Sequence, residues 1–322
     1  MNKVSIIIPA YNAGKFVENA IMSILTQDVD FSFEILIIDD NSEDDTRQVV
    51  SRLQDQYQQV KLLTNSRGKG PSGARNTGLI ASTGEYVAFL DADDLWLQGH
   101  LRKGMAFFEK NPDVDVVFFD FDIVDYQSKE VLGNWFDQFG MMKRFATREL
   151  EGGGYLILDD MFVALVKASF VHLQSMIMRK SCAEGILFNE SVMRSEDRDF
   201  NMRLVLEKGA QYAFCPIRTG VYHRCENSLT AHSLDADIAI VTDRICVLEG
   251  YTKRYGFSRP QRKVLFSELH KQALMLSYLY RQQNKPQKSF PCLFKSLKYG
   301  FSHHVCMEFV KICGEPFRKY FA

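Results

Sequence analysis

The stretch Phe89-Leu90-Asp91-Ala92-Asp93-Asp94 decides how this chain is read. Val87, Ala88, Phe89 and Leu90 form a continuous apolar run, the character of a strand buried on both faces of a parallel sheet. Three carboxylates follow at once. Open α/β sheets bind ligands outside the carboxyl ends of their strands. Acids placed there are hard oxygen donors of the kind that suit Mg²⁺ or Mn²⁺. An ion so held can neutralise a diphosphate. An isolated Asp-x-Asp is equally a solvated turn between strand and helix, so the neighbouring segments must decide.

Upstream, strand and helix signals alternate. Val4–Ile8 is an apolar run, and Phe16, Ala20, Ile21, Ile24 and Leu25 recur at helical spacing. Glu34–Ile38 reads as a second strand ending in Asp39-Asp40-Asn41-Ser42, a cluster able to cap a helix from about Asp44 to Gln58. Val60–Leu63 is a third strand, followed by a glycine-rich loop from Asn65 to Gly73 and a helix from about Ala74 to Ser82. Such alternation predicts an α/β fold with a mainly parallel, doubly wound, Rossmann-like sheet. Downstream, Leu101–Glu109 reads as helix, and Val114–Phe119, Ser175–Arg179 and Tyr212–Phe214 as strands. Phe136–Gly154 has little periodicity, a helix begins near Glu196, and from about Leu234 the signal is almost wholly helical.

Length and composition fit one large domain with an appendage: 322 residues, 46% hydrophobic and 25% charged, with a net charge of −1. That balance gives no general pull toward nucleic acid, and no motif for reading it occurs. The apolar run at the N-terminus is too short for a secretory signal, and no window reaches the roughly 18–20 apolar residues of a membrane span. The seven cysteines all lie in the second half, odd in number and without Cys-x-x-Cys spacing, which suggests reduced thiols in a cytoplasmic protein.

Five elements in order carry a family resemblance: Val4-Ser5-Ile6-Ile7-Ile8-Pro9-Ala10-Tyr11-Asn12, Ile38-Asp39-Asp40-Asn41-Ser42, Asn65 with Gly73-Ala74-Arg75-Asn76-Thr77-Gly78, the Asp91–Asp94 turn, and Ser195-Glu196-Asp197-Arg198-Asp199-Phe200. The chain resembles the family 2 glycosyltransferases over roughly Val4 to Thr230. The resemblance implies the GT-A fold and transfer of a single sugar, with inversion, from a nucleotide diphosphate donor to a hydroxyl acceptor. It implies a UDP-sugar, with Pro9 and Tyr11 beside the base and Asp40 accepting from its imide N–H. Asn65 and Arg75 would lie near the nucleotide, Asp91 at the ribose, and Asp93 with Asp94 at Mg²⁺ or Mn²⁺. Asp197, paired with Glu196, would be the general base. Helix capping is the competing account of the Asp39-Asp40 pair, and an ion pair that of Arg75.

The chain departs from the family at Tyr222-His223-Arg224-Cys225, where Tyr-Arg-x-His is common; any diphosphate contact there would fall to Arg224 or His223. The expected organisation is a catalytic domain over 1–230, its nucleotide half 1–97 and its acceptor half 98–230, with a helical region over 231–322. After Arg281 the chain is basic, with Phe290, Phe294, Leu297 and Phe301 among lysines. Such a tail suits an anionic membrane surface, or packing on the catalytic domain or on a second subunit. The acceptor class expected is a glycan or lipid-linked glycan, at the inner face of a membrane. A sugar nucleotidylyltransferase, or an inactive scaffold of the same fold, are the competing functions. His172 and the five other histidines considered with it (His223 apart) show no metal spacing, and each reads as a surface or satisfied core residue.

Overall fold

A computed structural model describes residues 3–224 and 233–318, with side chains to 312. Within these, the chain forms two compact units, one of 3–161 and 169–224, the other of 162–168 and 233–318.

The first unit is built on a mixed sheet. In chain order its elements are β1 (Lys3–Ala10), α1 (Val17–Leu25), β2 (Ser32–Asp39), α2 (Thr46–Gln56), β3 (Val60–Thr64), α3 (Pro71–Ala81), β4 (Tyr86–Phe89), β5 (Leu95–Trp96) and α4 (His100–Lys110). There follow β6 (Val116–Asp125), β7 (Val131–Asn134), α5 (Trp135–Phe139), α6 (Met141–Arg144), β8 (Thr147–Leu150) and β9 (Gly154–Ile157). A short helix, α7 (Met161–Lys167), belongs mostly to the other unit. The first unit closes with β10 (Met176–Arg179), α8 (Glu196–Lys208) and β11 (Tyr212–Arg224).

The strand order is β3-β2-β1-β4-β10-β6-β11-β9-β8, with β5 added on β11 and β7 on β6. β3, β2, β1 and β4 run parallel, and β6 pairs in parallel with β11. The antiparallel β10 joins the two groups. The α/β, Rossmann-like expectation therefore holds, with antiparallel strands added after the fourth. Because β2 and β4 flank β1 on opposite sides, strand order reverses there, and a crevice opens at the carboxyl ends of β1 and β4. Tyr11 and Asp91 lie at those ends.

Burial explains the strands. Ile6, Ile7, Ile8, Val87, Ala88 and Phe89 are all inaccessible to solvent, as continuous apolar runs in a two-sided layer require. α3 lies close to this layer because Gly78 carries no side chain: a Cβ there would come within 2.4 Å of Ile7. At the opposite ends of the strands, Glu34 accepts from Ser5, Lys61 and the backbone and side chain of Thr83. Burial works against its charge, but these donors outweigh it and hold the carboxyl well below its ordinary range.

The unpatterned Phe136–Gly154 segment is made of short pieces. Asp120, buried in β6, accepts from the backbone N–H groups of Phe121 and Phe136 and so ties the start of α5 to the sheet. β11 extends far past the expected Tyr212–Phe214 because it crosses Pro216 with register shifts between Cys215 and Gly220.

The second unit is helical: α9 (Leu234–Arg254), α10 (Arg259–Gln282), α11 (Pro286–Leu297) and α12 (His303–Arg318). Ser258 and Gln261 form a reciprocal cap at the start of α10. Leu293, Val305 and Ile312 make a small apolar cluster, and Ser289 of α11 hydrogen-bonds the Ser277 carbonyl of α10 at 2.7 Å. No helix among the described residues is long and apolar enough to cross a membrane. Cys182, Cys215, Cys246, Cys292 and Cys306, the cysteines whose side chains are described, are free thiols.

Candidate active site

The acidic turn, the glycine-rich loop and the start of α8 meet in the first unit, and one side chain joins them. Arg75 of α3 is 5% exposed. Its Nη2 donates to Asp91 Oδ1 at 2.7 Å and its Nη1 to Glu196 Oε1 at 2.8 Å. Burial alone would lower the guanidinium pKa; the two carboxylates outweigh it and raise it. Glu196 is itself pushed upward, by burial first and by neighbouring Asp197, against the pull of Arg75. Of the two accounts open in the sequence, the ion pair is the arrangement observed, though buried.

At the turn, Asp91 and Asp93 are half-buried and Asp94 is buried. The main chain of His223 donates to Asp94 Oδ1 at 2.9 Å, and the Asp93 carbonyl accepts from His223 Nδ1 at 2.6 Å. The other Asp94 oxygen is buried without a hydrogen-bond partner among the described residues. Burial, and then Asp91, raise the Asp93 carboxyl to about 6. Burial with Asp93 and Asp91 raises that of Asp94 well above its ordinary value. Arg75 pairs with Asp91, whereas Asp93 and Asp94 have no ion-pair partner among the described residues. Among the described residues no three His, Cys, Asp or Glu side chains form a complete metal cage. A hard cation here would take one or two carboxylate oxygens and fill its remaining positions with water and ligand oxygens, the usual habit of Mg²⁺. The orphaned Asp94 oxygen fits that role.

On the other side of the crevice, Tyr11 is 49% exposed at the end of β1, with Lys69 Nζ 4.9 Å from its ring centre; Pro9 is half-buried in the strand. Asp39 and Asp40 divide their tasks. Asp39 accepts from Arg47 and from the Ser42 N–H, which fixes the loop after β2; it does not cap α2, whose N-cap Asp45 has no side-chain cap bond. Asp40 accepts from Asn65 Nδ2 at 2.6 Å and the Gly70 N–H at 2.7 Å, anchoring the loop before α3. Asn65 in turn accepts from Thr77 and the Arg67 N–H. The loop turns tightly enough that a Cβ on Gly73 would sit 1.8 Å from the Gly68 carbonyl oxygen.

Asp197 lies in the first turn of α8, after Ser195, which has the left-handed φ of 97°. It is half-exposed; Oδ1 accepts from the Arg198 N–H and Ser169 Oγ lies 3.5 Å from Oδ2. Asp199 instead pairs with Arg203. The structure thus brings Arg75, Asp91, Glu196 and Asp197 together, with Asp93 and Asp94 on the same turn. Asp40, Asn65 and Tyr11 line the neighbouring loop. The sequence reading missed His172: burial lowers its imidazole pKa, against an opposing pull from Asp197 and Asp91. A single histidine without ligand spacing gives no signal that would have found it. His100, by contrast, is a fully buried core residue, stacked on Trp96 and bonded through Nδ1 to Thr219, while its Nε2 has no partner among the described residues. Arg224 is exposed, and Cys225–Thr230 lies outside the described residues.

Comparison with known proteins agrees with this geometry. The model of Glycosyl transferase family 2 matches residues 5–170. The chain belongs to that family, with the GT-A fold. Among curated relatives, it is 34% identical over 197 residues to the GalNAc(5)-diNAcBac-PP-undecaprenol beta-1,3-glucosyltransferase of Campylobacter jejuni, covering 61% of this chain and 58% of that one. It is 38% identical over 125 residues, 39% of this chain and 48% of the relative, to the UDP-Glc:alpha-D-GlcNAc-diphosphoundecaprenol beta-1,3-glucosyltransferase WfgD of Escherichia coli. The chain spans about half the length of these curated relatives. Solved structures with the same fold include S. aureus TarS 1-349 in complex with UDP-GlcNAc, at a TM-score of 0.59 and 18% identity over 97% of this chain and 92% of that one. Another is the mannosyltransferase PcManGT of Pyrobaculum calidifontis with GDP-Man and Mn²⁺, at a TM-score of 0.59 and 18% identity over 99% and 83%.

The raised Asp93 carboxyl gives a stability test. Between its ordinary value of 3.8 and about 6 the folded chain holds a proton that the unfolded chain has released. Stability from this group is therefore lost as pH rises through that window, by at most about 3 kcal/mol. With divalent ions chelated, Asp93→Asn should match the wild type near pH 4 and melt progressively higher than it toward pH 7. A pH-independent difference between the two thermal curves would contradict the crowding of these acids.

Proposed function

We propose that the chain is a non-processive, inverting glycosyltransferase that moves one sugar from a nucleotide diphosphate donor, a UDP-sugar, to a hydroxyl acceptor. The observation that carries this reading is the Arg75 bridge. It sets a donor-type acidic turn and a base-type carboxylate in one site. The nucleotide-binding half would be 1–97 and the acceptor half 98–230, with 231–322 the helical region.

In this mechanism Tyr11, exposed beside Pro9, stacks on the base; stacking of this kind is worth about 1–3 kcal/mol. Asp40 offers a second lone pair to the base N–H while it holds Asn65 and Gly70. Asp91 faces the ribose, its carboxylate oriented by Arg75. Asp93 and Asp94 would hold Mg²⁺ or Mn²⁺, which when bound neutralises charge on the leaving diphosphate. Asp197 accepts the proton of the attacking hydroxyl. One bond forms between that oxygen and the anomeric carbon as the bond from that carbon to the diphosphate breaks. The electron pair leaves with UDP, and a single displacement inverts the configuration. Glu196, held by Arg75, keeps α8 in register beside its neighbour. The uridine preference is supported by Tyr11 and Asp40 and by relatives named for UDP-Glc; the PcManGT complex with GDP-Man makes GDP the donor to test against it.

A screen of UDP- and GDP-sugars, reading nucleotide release with Mn²⁺ and an acceptor panel, identifies the donor. Asp197→Asn should cut transfer about 10²–10⁴-fold and leave UDP affinity unchanged. Near-normal transfer by that variant would remove Asp197 from the role of base, and release of pyrophosphate from UTP plus a sugar phosphate would reassign the chain to nucleotidyl transfer.

The acceptor proposed is a lipid-linked glycan at the cytoplasmic face of a membrane, in keeping with relatives named for undecaprenol diphosphate acceptors. α11 packs one side against α10, yet Phe294 at 59%, Phe301 at 73% and Val310 at 67% remain exposed beside the exposed Lys288, Lys298 and Lys311. Each lysine near an anionic leaflet adds about 1 kcal/mol. Binding to anionic vesicles should appear at low salt, weaken as salt is added, and drop at least fivefold in Phe294→Glu/Phe301→Glu. Indifference of the wild type to such vesicles would make this face a protein-packing surface, including one for a second copy of the chain.

A further inference from the structure

His172 lies in a segment that the aromatic core fixes on both sides. Phe170 is fully buried, and its carbonyl accepts from Trp135 Nε1 at 3.0 Å. The His172 carbonyl accepts from the Ser175 N–H at 3.1 Å and the Ser175 hydroxyl at 2.9 Å. The imidazole stands edge-on to two rings, Trp135 at 4.5 Å and 72° and Phe121 at 5.1 Å and 64°. Trp135 is itself stacked with Phe121 and Phe139. Edge-to-face packing of this kind sets the plane of a ring without using its nitrogens. No hydrogen bond from another described residue engages either His172 nitrogen. Three residues earlier in the same segment, Ser169 Oγ lies 3.5 Å from Asp197 Oδ2. The segment that carries His172 therefore borders the carboxylate assigned as base, and the ring is half-buried.

We propose that His172 is the acceptor-positioning residue: its imidazole hydrogen-bonds the acceptor sugar beside the hydroxyl whose proton Asp197 takes. This inference rests on the transferase reading and names the side of that site from which the acceptor is held. A neutral imidazole carries one donor and one acceptor nitrogen, the complement of a sugar hydroxyl, and its lowered pKa keeps it neutral at pH 7. A site that hydrogen-bonds a substrate hydroxyl discriminates strongly against partners that cannot answer it. Rigid backing by Trp135 and Phe121 removes the need to order the ring when the acceptor arrives. His100 differs: that ring is fully buried and stacked on Trp96, so it is closed to a ligand.

Two substitutions separate this role from a packing role. Phe keeps the ring and loses the hydrogen bonds; Gln loses the ring and keeps donor and acceptor atoms. With UDP-glucose as donor and an alkyl α-N-acetylglucosaminyl diphosphate as acceptor, His172→Phe should raise the acceptor KM at least tenfold. Its UDP affinity and hydrolysis of donor by water should stay within twofold of wild type. His172→Gln should recover acceptor KM to within a few fold of wild type. The reverse order, with Phe tolerated and Gln impaired, would make His172 a packing residue and overturn the proposal. Equal loss of UDP affinity in both variants would overturn it too. A wild type that neither binds UDP nor transfers to this acceptor would instead overturn the transferase reading with this donor and acceptor, and the His172 assignment with it.

Discussion

A buried guanidinium shared by two carboxylates is the constraint on which the site depends. Arg75 draws its partners from 16 and 121 residues away along the chain. Taking three charges out of water is costly, and an arrangement of this kind is retained only where geometry and hydrogen bonding are good. Here Arg75 makes 2.7 and 2.8 Å contacts through separate nitrogens, so each carboxylate has its own donor. The result fixes the acidic turn after β4 and the first turn of α8 in one frame. Neither could shift alone without leaving a buried charge unpaired.

The rest of the crevice follows from the sheet. Reversal of strand order at β1 opens the carboxyl ends of β1 and β4 to a ligand. The loop between β3 and α3 closes one side of it, pinned by Asp40 through Asn65 and Gly70. Gly73 and Gly78 let that loop and helix come within side-chain distance of Gly68 and Ile7. The acids at the turn remain crowded and partly uncompensated, the kind of local cost that binding sites carry and that a bound cation relieves.

Much of this frame was readable in the sequence, for reasons that differ by element. The parallel strands announced themselves because burial on both faces demands unbroken apolar runs, and the abrupt change from Leu90 to Asp91 marked the turn. Glu196-Asp197 stood out only through the family resemblance, since acids in a first helical turn are common on any protein. The partners of Arg75 were invisible because they are set by tertiary approach and not by spacing. Phe136–Gly154 gave little periodic signal because it is built of four- and five-residue pieces too short to show one. β11 runs past the Tyr212–Phe214 segment because the strand accommodates Pro216 with register shifts. His172 carried no spacing at all; only the packing of Trp135 and Phe121 around it gives it a direction.

The central claim is that the acidic turn held by Arg75 seats a nucleotide diphosphate through a divalent ion. Calorimetric titration of UDP into the protein, once in Mn²⁺ and once in EDTA, tests it most directly. The account requires saturable binding in Mn²⁺ and affinity at least tenfold lower in EDTA. Equal affinity under both conditions, or no binding with the metal present, would contradict it.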